Sequence, residues 1–249
     1  MNDKNPSLQT NRNGFTLIEV LVTMAISSVL LIVLAVIIAQ TTDGYAVSQR
    51  SVNHLSQSRA FFQLFQSELS LRLPETPLIH LSSSVTAPES SQKIAFVRTL
   101  ANDEQLPDAP GDLATSCYYV AFVEDSEQRI IPKLFRKILS PGETQSLIEA
   151  GDETDFPDIN PSLDEPVIDF VLSFQATPMY FNPATGNDEA WDKTIEHAPS
   201  HIELTLRTID ESFARRLPNQ AAWHRLAISP KKNELQMIRS VSHNISLRN

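Results

Sequence analysis

Cysteine is almost missing. Cys117 is the single one in 249 residues, which excludes an intramolecular disulfide. Its neighbours Tyr118, Tyr119 and Val120 suggest a buried thiol on a strand. Basic charge is also short: 20 Lys and Arg face 30 Asp and Glu, a formal charge of −10. Neutralising phosphates takes clustered Lys and Arg, so no nucleic-acid partner is expected. The chain has no internal repeat. It has no G-x-S-x-G, P-loop, dinucleotide fingerprint or Cys-His pattern. His197 and His201 stand four apart beside Glu196, but Pro199 interrupts them and His201 opens a strand pattern. His54, His80, His224 and His243 are scattered. The expectation is a protein that is not an enzyme, with no catalytic residue, no cofactor and no metal.

Against these shortages stands one long apolar run. From Val20 to Ala39 there is neither charge nor proline. As a helix this is about 30 Å, enough to cross the hydrocarbon core of a bilayer. A secretory signal peptide has a shorter apolar region, followed by a small-residue cleavage site. Here Gln40-Thr41-Thr42-Asp43-Gly44-Tyr45 follows, a poor cleavage site, and the small residue, Gly14, stands before the run. The polar leader carries Lys4 and Arg12 against Asp3. Positive flanks stay cytoplasmic, so the larger part lies outside, in the periplasm of a two-membrane cell. With Glu19 included, leader and span are charge-neutral, and the whole negative excess belongs to residues 41–249.

Gly14-Phe15-Thr16-Leu17-Ile18-Glu19-Val20 resembles the cleavage and methylation signal of type IV pilins and type II secretion pseudopilins. The resemblance is close over about the first forty residues. It implies that prepilin peptidase cuts after Gly14 and that Phe15 becomes the methylated N-terminus. It further implies that Glu19, the fifth mature residue, meets the terminal amine of a neighbouring subunit. A carboxylate at the edge of the hydrocarbon region costs free energy and is usually kept for a partner. The plain alternative is an acid favouring the helix N-terminus. Thr23, Ser27 and Ser28 allow close helix contact in lipid or return their hydroxyls to backbone carbonyls.

Beyond the membrane the helix is expected to continue, loosening at Asp43-Gly44. Leu55, Phe62 and Leu69 recur every seven residues, with Phe65 on the same face, and Gln49, Arg50, Gln57 and Gln63 lie opposite. This stripe reads as core, and Leu73-Pro74 ends it, giving a helix from about Phe15 to Arg72. Residues 74–92 read as a loop, 93–99 as a strand, 103–112 as a loop and 116–123 as a strong strand. A polar turn at 124–128 leads to a return strand at 129–139, interrupted at Pro132. Residues 143–150 read as a short helix. One central strand is expected at 167–175, extended by 179–181, then a turn-rich loop at 182–192 and a half-buried strand at 201–209. In 211–249, Ala221-Ala222-Trp223 suggests a helix and the end a polar tail.

Residues 151–169 hold Asp152, Glu153, Asp155, Asp158, Asp164, Glu165 and Asp169 without Lys or Arg. Oxygen ligands suit calcium, but no EF-hand spacing is present and three prolines break the segment. A solvated acidic loop is the better reading of 152–169.

The sum is an α+β chain: a long N-terminal helix, half transmembrane and half amphipathic, packed on an antiparallel β-sheet head, as in pilins. The expected divisions are a leader (1–14), a transmembrane helix (15–40), its amphipathic continuation (41–73) and a periplasmic head (74–249). The hairpin and following strands resemble J-type minor pseudopilins and the pilin-like cassette proteins of verrucomicrobia. That resemblance implies a minor structural subunit of a type II secretion pseudopilus. It would be inner-membrane and single-pass, extracted into a hetero-oligomeric filament with other pilin or pseudopilin subunits through the N-terminal helix. The alternatives are a minor subunit of a type IV pilus, for adhesion, motility or DNA uptake, and a membrane-anchored binding domain that never polymerises.

Overall fold

The computed structural model describes residues 16–74, 79–82, 91–100, 111–150, 158–191, 195 and 199–247, with backbone alone at 43, 46–55 and 79–82. The chain divides between Val52 and Asn53 into two units. Helix α1, Leu17–Ser70, runs across that boundary. In the first unit its stretch Leu17–Thr42 has the length and composition to cross a membrane. The expected loosening at Gly44 does not occur, because Gly44 lies within α1. One glycine costs a helix about 1 kcal/mol, which long flanking segments absorb.

The second unit holds two antiparallel sheets. The first has order β1-β2-β3-β4-β5: Ile79–Ser82, Gln92–Thr99, Leu113–Glu124, Ile130–Leu139 and Glu165–Asp169. The second has order β7-β6-β8-β9, where β6 is Val171–Asn182, β7 Asn187–Ala190, β8 His201–Ile209 and β9 Ile238–Ser246. Both sheets share one core with the end of α1. Phe61, Phe62, Phe65 and Leu69 pack with Phe96, Tyr118 and Leu134 of the first sheet and Phe174, Leu204 and Leu206 of the second. The apolar stripe is therefore core, and it includes Phe61, which the seven-residue spacing omitted. Leu55, Gln49 and Arg50 lie among the residues whose side chains are not described, whereas Gln57 and Gln63 are exposed.

The end of α1 is tied to the sheet. Leu71 and Arg72 donate three residues back, to Glu68 O at 3.0 Å and Leu69 O at 3.1 Å. This tightened last turn then pairs with β2, through Leu73 N to Val97 O at 3.1 Å and Thr99 N to Leu71 O at 3.0 Å. Pro74 cannot extend the helix. The start of β2 in turn seals an edge of the second sheet: Ser91 Oγ accepts from Phe174 N at 3.3 Å, and Gln92 Oε1 from Ala176 N at 2.8 Å. Backbone donors that lack a strand partner there are thus satisfied by side chains.

The central strand β3 reads as a continuous apolar run because both its faces are covered. Tyr118 and Val120 face α1. Cys117 lies against Ala95 and Leu147, and Tyr119 with Ala121 packs on Phe135 and Ile159. Leu147 belongs to α2, Pro141–Ala150. That helix starts on a capping box: Ser140 N and Oγ donate to Glu143 Oε2 at 2.8 and 2.7 Å.

Several expectations need correction. Residues 79–82, read as loop, form edge strand β1, and the polar tail contains edge strand β9. Residues 187–190, also read as loop, pair with the end of β6. Edge strands bury little, so alternation is weak in them. Residues 101–110, most of the expected second loop, lie outside the described residues. The single strand expected from 167 is two, in different sheets. Phe170, at φ 58°, turns the chain from β5 into β6. Pro132 does not interrupt β4. It pairs with Phe122, and β5 starts pairing only at Lys133, so β4 has an open side there. The register shift lies further on, at Leu134/Phe135. Within 211–249 two helices form, α3 (Glu211–Ala214) and α4 (Gln220–Ile228), and α4 includes the expected Ala221-Ala222-Trp223.

Candidate assembly site

Thr16 starts α1. Its backbone N–H and its hydroxyl both donate to Glu19 Oε2 at 2.8 Å, while Glu19 N donates to Thr16 Oγ1 at 3.3 Å. This is a reciprocal capping box, legible as Thr16-x-x-Glu19 in the sequence. Two donors without helical partners are satisfied and a negative charge meets the positive end of the helix. Glu19 therefore caps its own helix, the plainer of its two sequence readings, with its side chain still exposed. Gly14 and Phe15 lie outside the described residues. Thr23 Oγ1 donates to Val20 O at 2.9 Å and Ser28 Oγ to Ala25 O at 2.8 Å, so these hydroxyls are met inside the helix. Ser27 is exposed.

Along the same helix large apolar side chains point away from the chain itself: Leu17 is 79% exposed, Leu31 66% and Ile38 57%. At about 25 cal/mol per Å² such a surface is unstable in water and demands lipid or other helices. The arrangement thus offers an apolar rod with one carboxylate at its end. It can pack against similar rods and attract a cation there.

A second constellation, at the end of α1 in the folded head, was not anticipated. Glu68 is 4% exposed and sits among Arg98, Arg136 and Tyr118. Its Oε1 accepts from Arg136 Nε at 2.9 Å and from Arg136 Nη2, and lies 3.2 Å from Arg98 Nη2. Tyr118 Oη donates to its Oε2. Arg98 Nε reaches Ser116 Oγ at 2.7 Å, and Arg136 Nη1 reaches Glu165 Oε2 at 3.0 Å. Burial and the Glu68 carboxylate push the Tyr118 phenol well above its usual range. Burial opposes the charge on Arg136, but the hydrogen bond and charge of Glu68 outweigh it and raise the guanidinium further. A buried acid is tolerable only when paired and hydrogen-bonded. The available signal was Glu68 standing beside Leu69 and three residues after Phe65, a charge on the buried face of the stripe.

The carboxylates of Asp164, Glu165 and Asp169 are engaged with nearby groups. Asp164 accepts from Tyr119 Oη and from Asn160 N at 3.1 Å. Asp169 lies 2.9 Å from Lys133 Nζ, and the Asp158 carbonyl accepts from Lys137 at 2.6 Å. Asp152, Glu153 and Asp155 lie outside the described residues, as does His197. His201 Nδ1 is 3.0 Å from Ser200 Oγ. Among the described residues no three His, Cys, Asp or Glu side chains are placed to hold a metal. Burial pushes the Cys117 thiol up to about 12.

Residues 9–35 match the family model of the prokaryotic N-terminal methylation motif. No curated protein matches the sequence. Among solved structures, a chain of the GspK-GspI-GspJ complex from the type 2 secretion system of enterotoxigenic Escherichia coli is similar at 12% identity. The similarity covers 78% of this chain and 97% of that one at a TM-score of 0.37. The N-terminal segment thus carries the prepilin-type motif, on an α+β chain with a long apolar helix and antiparallel sheets.

Proposed function

We propose that the chain is a minor pilin-like structural subunit of a type II secretion pseudopilus. On this reading residues 1–14 are a leader removed by prepilin peptidase, and Phe15 is N-methylated. Residues 15–40 anchor the chain in the inner membrane, 41–73 continue the helix, and 74–249 form a periplasmic head. Assembly proceeds by extraction of the helix into a hetero-oligomeric filament of pilin or pseudopilin helices. Glu19 then exchanges its contact with Thr16 for the terminal amine of a neighbour. The subunit is structural, with no catalytic residue and no cofactor, and the 152–169 segment is a solvated acidic loop. A head of this bulk suits a low-copy position.

The observation that carries the reading is the methylation motif at 9–35 joined to an apolar helix exposed along its length, with Glu19 at its start. The test is the intact mass of the protein from its native host. Loss of residues 1–14 with a gain of about 14 Da, one methyl, is the expected result. An unprocessed mass would sink the proposal. Processing alone leaves a type IV pilus as the other machine, and the subunits that co-purify decide between the two.

The capping box specifically favours a second reading, a membrane-anchored binding domain that does not polymerise, because Glu19 already has a use inside its own helix. Glu19→Leu separates the two: filament incorporation is lost on the first reading, while partner association survives on the second.

A further inference from the structure

The acidic balance of the chain is reversed toward its C-terminal end. Between residues 215 and 239, Arg215, Arg216, Arg225, Lys231, Lys232 and Arg239 stand against one acid, Glu234. Glu234 is taken: its Oε2 accepts from Arg225 Nη1 at 2.9 Å and from Lys231 N at 2.7 Å, and its Oε1 accepts from Arg225 Nη2 at 2.7 Å. These bonds hold the 231–237 turn to α4. On this braced surface Ile228 is 58% exposed and Leu235 52%, with Lys231 and Lys232 exposed beside them. Lys231 and Lys232 make no ion pair among the described residues. Apolar side chains ringed by exposed cations, on a turn tied to α4, form a surface that an acidic partner would cover.

The other sheet offers the complement. Residues 143–169 contain no Lys or Arg. Between α2 and the 158–165 segment lies a groove of about 540 Å³, whose lining includes Ile138, Glu143, Asp158, Leu163 and Glu165. Its two cations are engaged, Arg136 with Glu68 and Glu165, and Lys137 with the Asp158 carbonyl. Leu163 at its rim is 82% exposed and Ile138 40%. Glu149 on α2 is exposed nearby.

We infer that the Ile228-Lys231-Lys232-Leu235 surface of one copy docks on the Leu163-Asp158-Glu165 groove of a second copy. Both sides pair an exposed aliphatic anchor with charges of opposite sign. Such complementarity sets orientation and encounter rate. The two surfaces are distinct parts of the head, α4 with the turn after it and α2 with the 158–165 segment, so each copy carries both halves of the contact. An anionic lipid surface suits the basic turn alone, but it leaves the groove unused and must accept a head of negative net charge. The inference rests on the folded head and not on the helix-mediated assembly proposed above.

The test uses the full chain, one per nanodisc of neutral lipid, with association between nanodiscs read by sedimentation velocity. Lys231→Gln/Lys232→Glu changes the basic face, and Glu149→Lys/Asp158→Lys changes the acidic one. The wild type is expected to associate at 20 mM salt (about a 20 Å screening length) and about tenfold less at 300 mM. Each variant alone is expected to be monomeric with unchanged circular dichroism. Mixed, they keep one intact face each and form a one-to-one dimer that grows no further. A monomeric wild type at low salt would overturn the inference. So would association that ignores both variants but is lost in Glu19→Leu, which would assign it to the helix. Lys232 protected from acylation only in anionic nanodiscs would assign the face to lipid and overturn it equally.

Discussion

Glu68 is the residue whose environment says most about the head. One carboxylate serves two guanidinium groups and a phenol, with almost no water to share the load. Glu68→Gln keeps the shape and removes the carboxylate charge that faces both guanidinium groups in the interior. The expected loss is about 3–5 kcal/mol, read as a lower urea midpoint. A loss below about 1 kcal/mol would mean that the cluster is far wetter than its burial indicates. At Glu234 the pH dependence has a definite sign. The side-chain hydrogen bond from Arg225 and the Lys231 amide hold the Glu234 carboxyl down to about 2. An unfolded Glu titrates at about 4.3. The folded value is the lower one, so the Arg225 pair stabilises the head above about pH 4.3. That contribution is lost as pH falls through 2. A carbon-13 titration of the Glu234 carboxyl checks this; a midpoint at the unfolded value would mean no pair in solution.

At the scale of elements, α2 shows how a short helix is placed. Pro141 opens it, where its missing N–H costs nothing, and Ser140 with Glu143 closes the cap. Its Leu147 covers Cys117. Ser140→Ala is expected to cost about 0.5–2 kcal/mol. It should also speed labelling of Cys117 by a thiol reagent in native buffer, because local opening of α2 uncovers the sulfur. Unchanged labelling would show that α2 does not guard that side of the sheet. The helices and strongly alternating strands were legible because their signals are local. β8 appears in the structure at the residues expected, His201–Ile209, since buried Ile202, Leu204 and Leu206 alternate with polar neighbours. α2 was legible in the same way, although Ser140-x-x-Glu143 would have placed its start better.

At the scale of the molecule, the head owes its core to residues after Val52. A chain beginning at Asn53 is therefore expected to fold cooperatively without the apolar helix, with a single urea transition common to fluorescence and circular dichroism. Separate transitions, or dye binding typical of a loosely packed state, would show that the core needs the missing segment. The N-terminal segment carries the more legible pattern: a run without charge, a carboxylate before it and a glycine before that are close together in sequence. Covalent neighbours alone decide such a pattern, and lipid is a uniform solvent for it. The end of α1 was legible only in part. Phe62, Phe65 and Leu69 announce a buried face by spacing, but nothing in that spacing says that Glu68 will be buried with them. That depends on Arg136, 68 residues further on. The turn at Phe170 is of the same kind. An unbroken apolar alternation from Val167 reads as one strand, because alternation reports burial and not which sheet receives the residue. β1, β7 and β9 escaped notice because an edge strand is held mainly by backbone hydrogen bonds, which every sequence can make. Periodicity, charge and chain order settled the long helix, its apolar run and strands β3 and β8. Contacts between residues distant in sequence settled the division into two sheets, their edges and the buried ion cluster, because only the folded chain brings those groups out of water together.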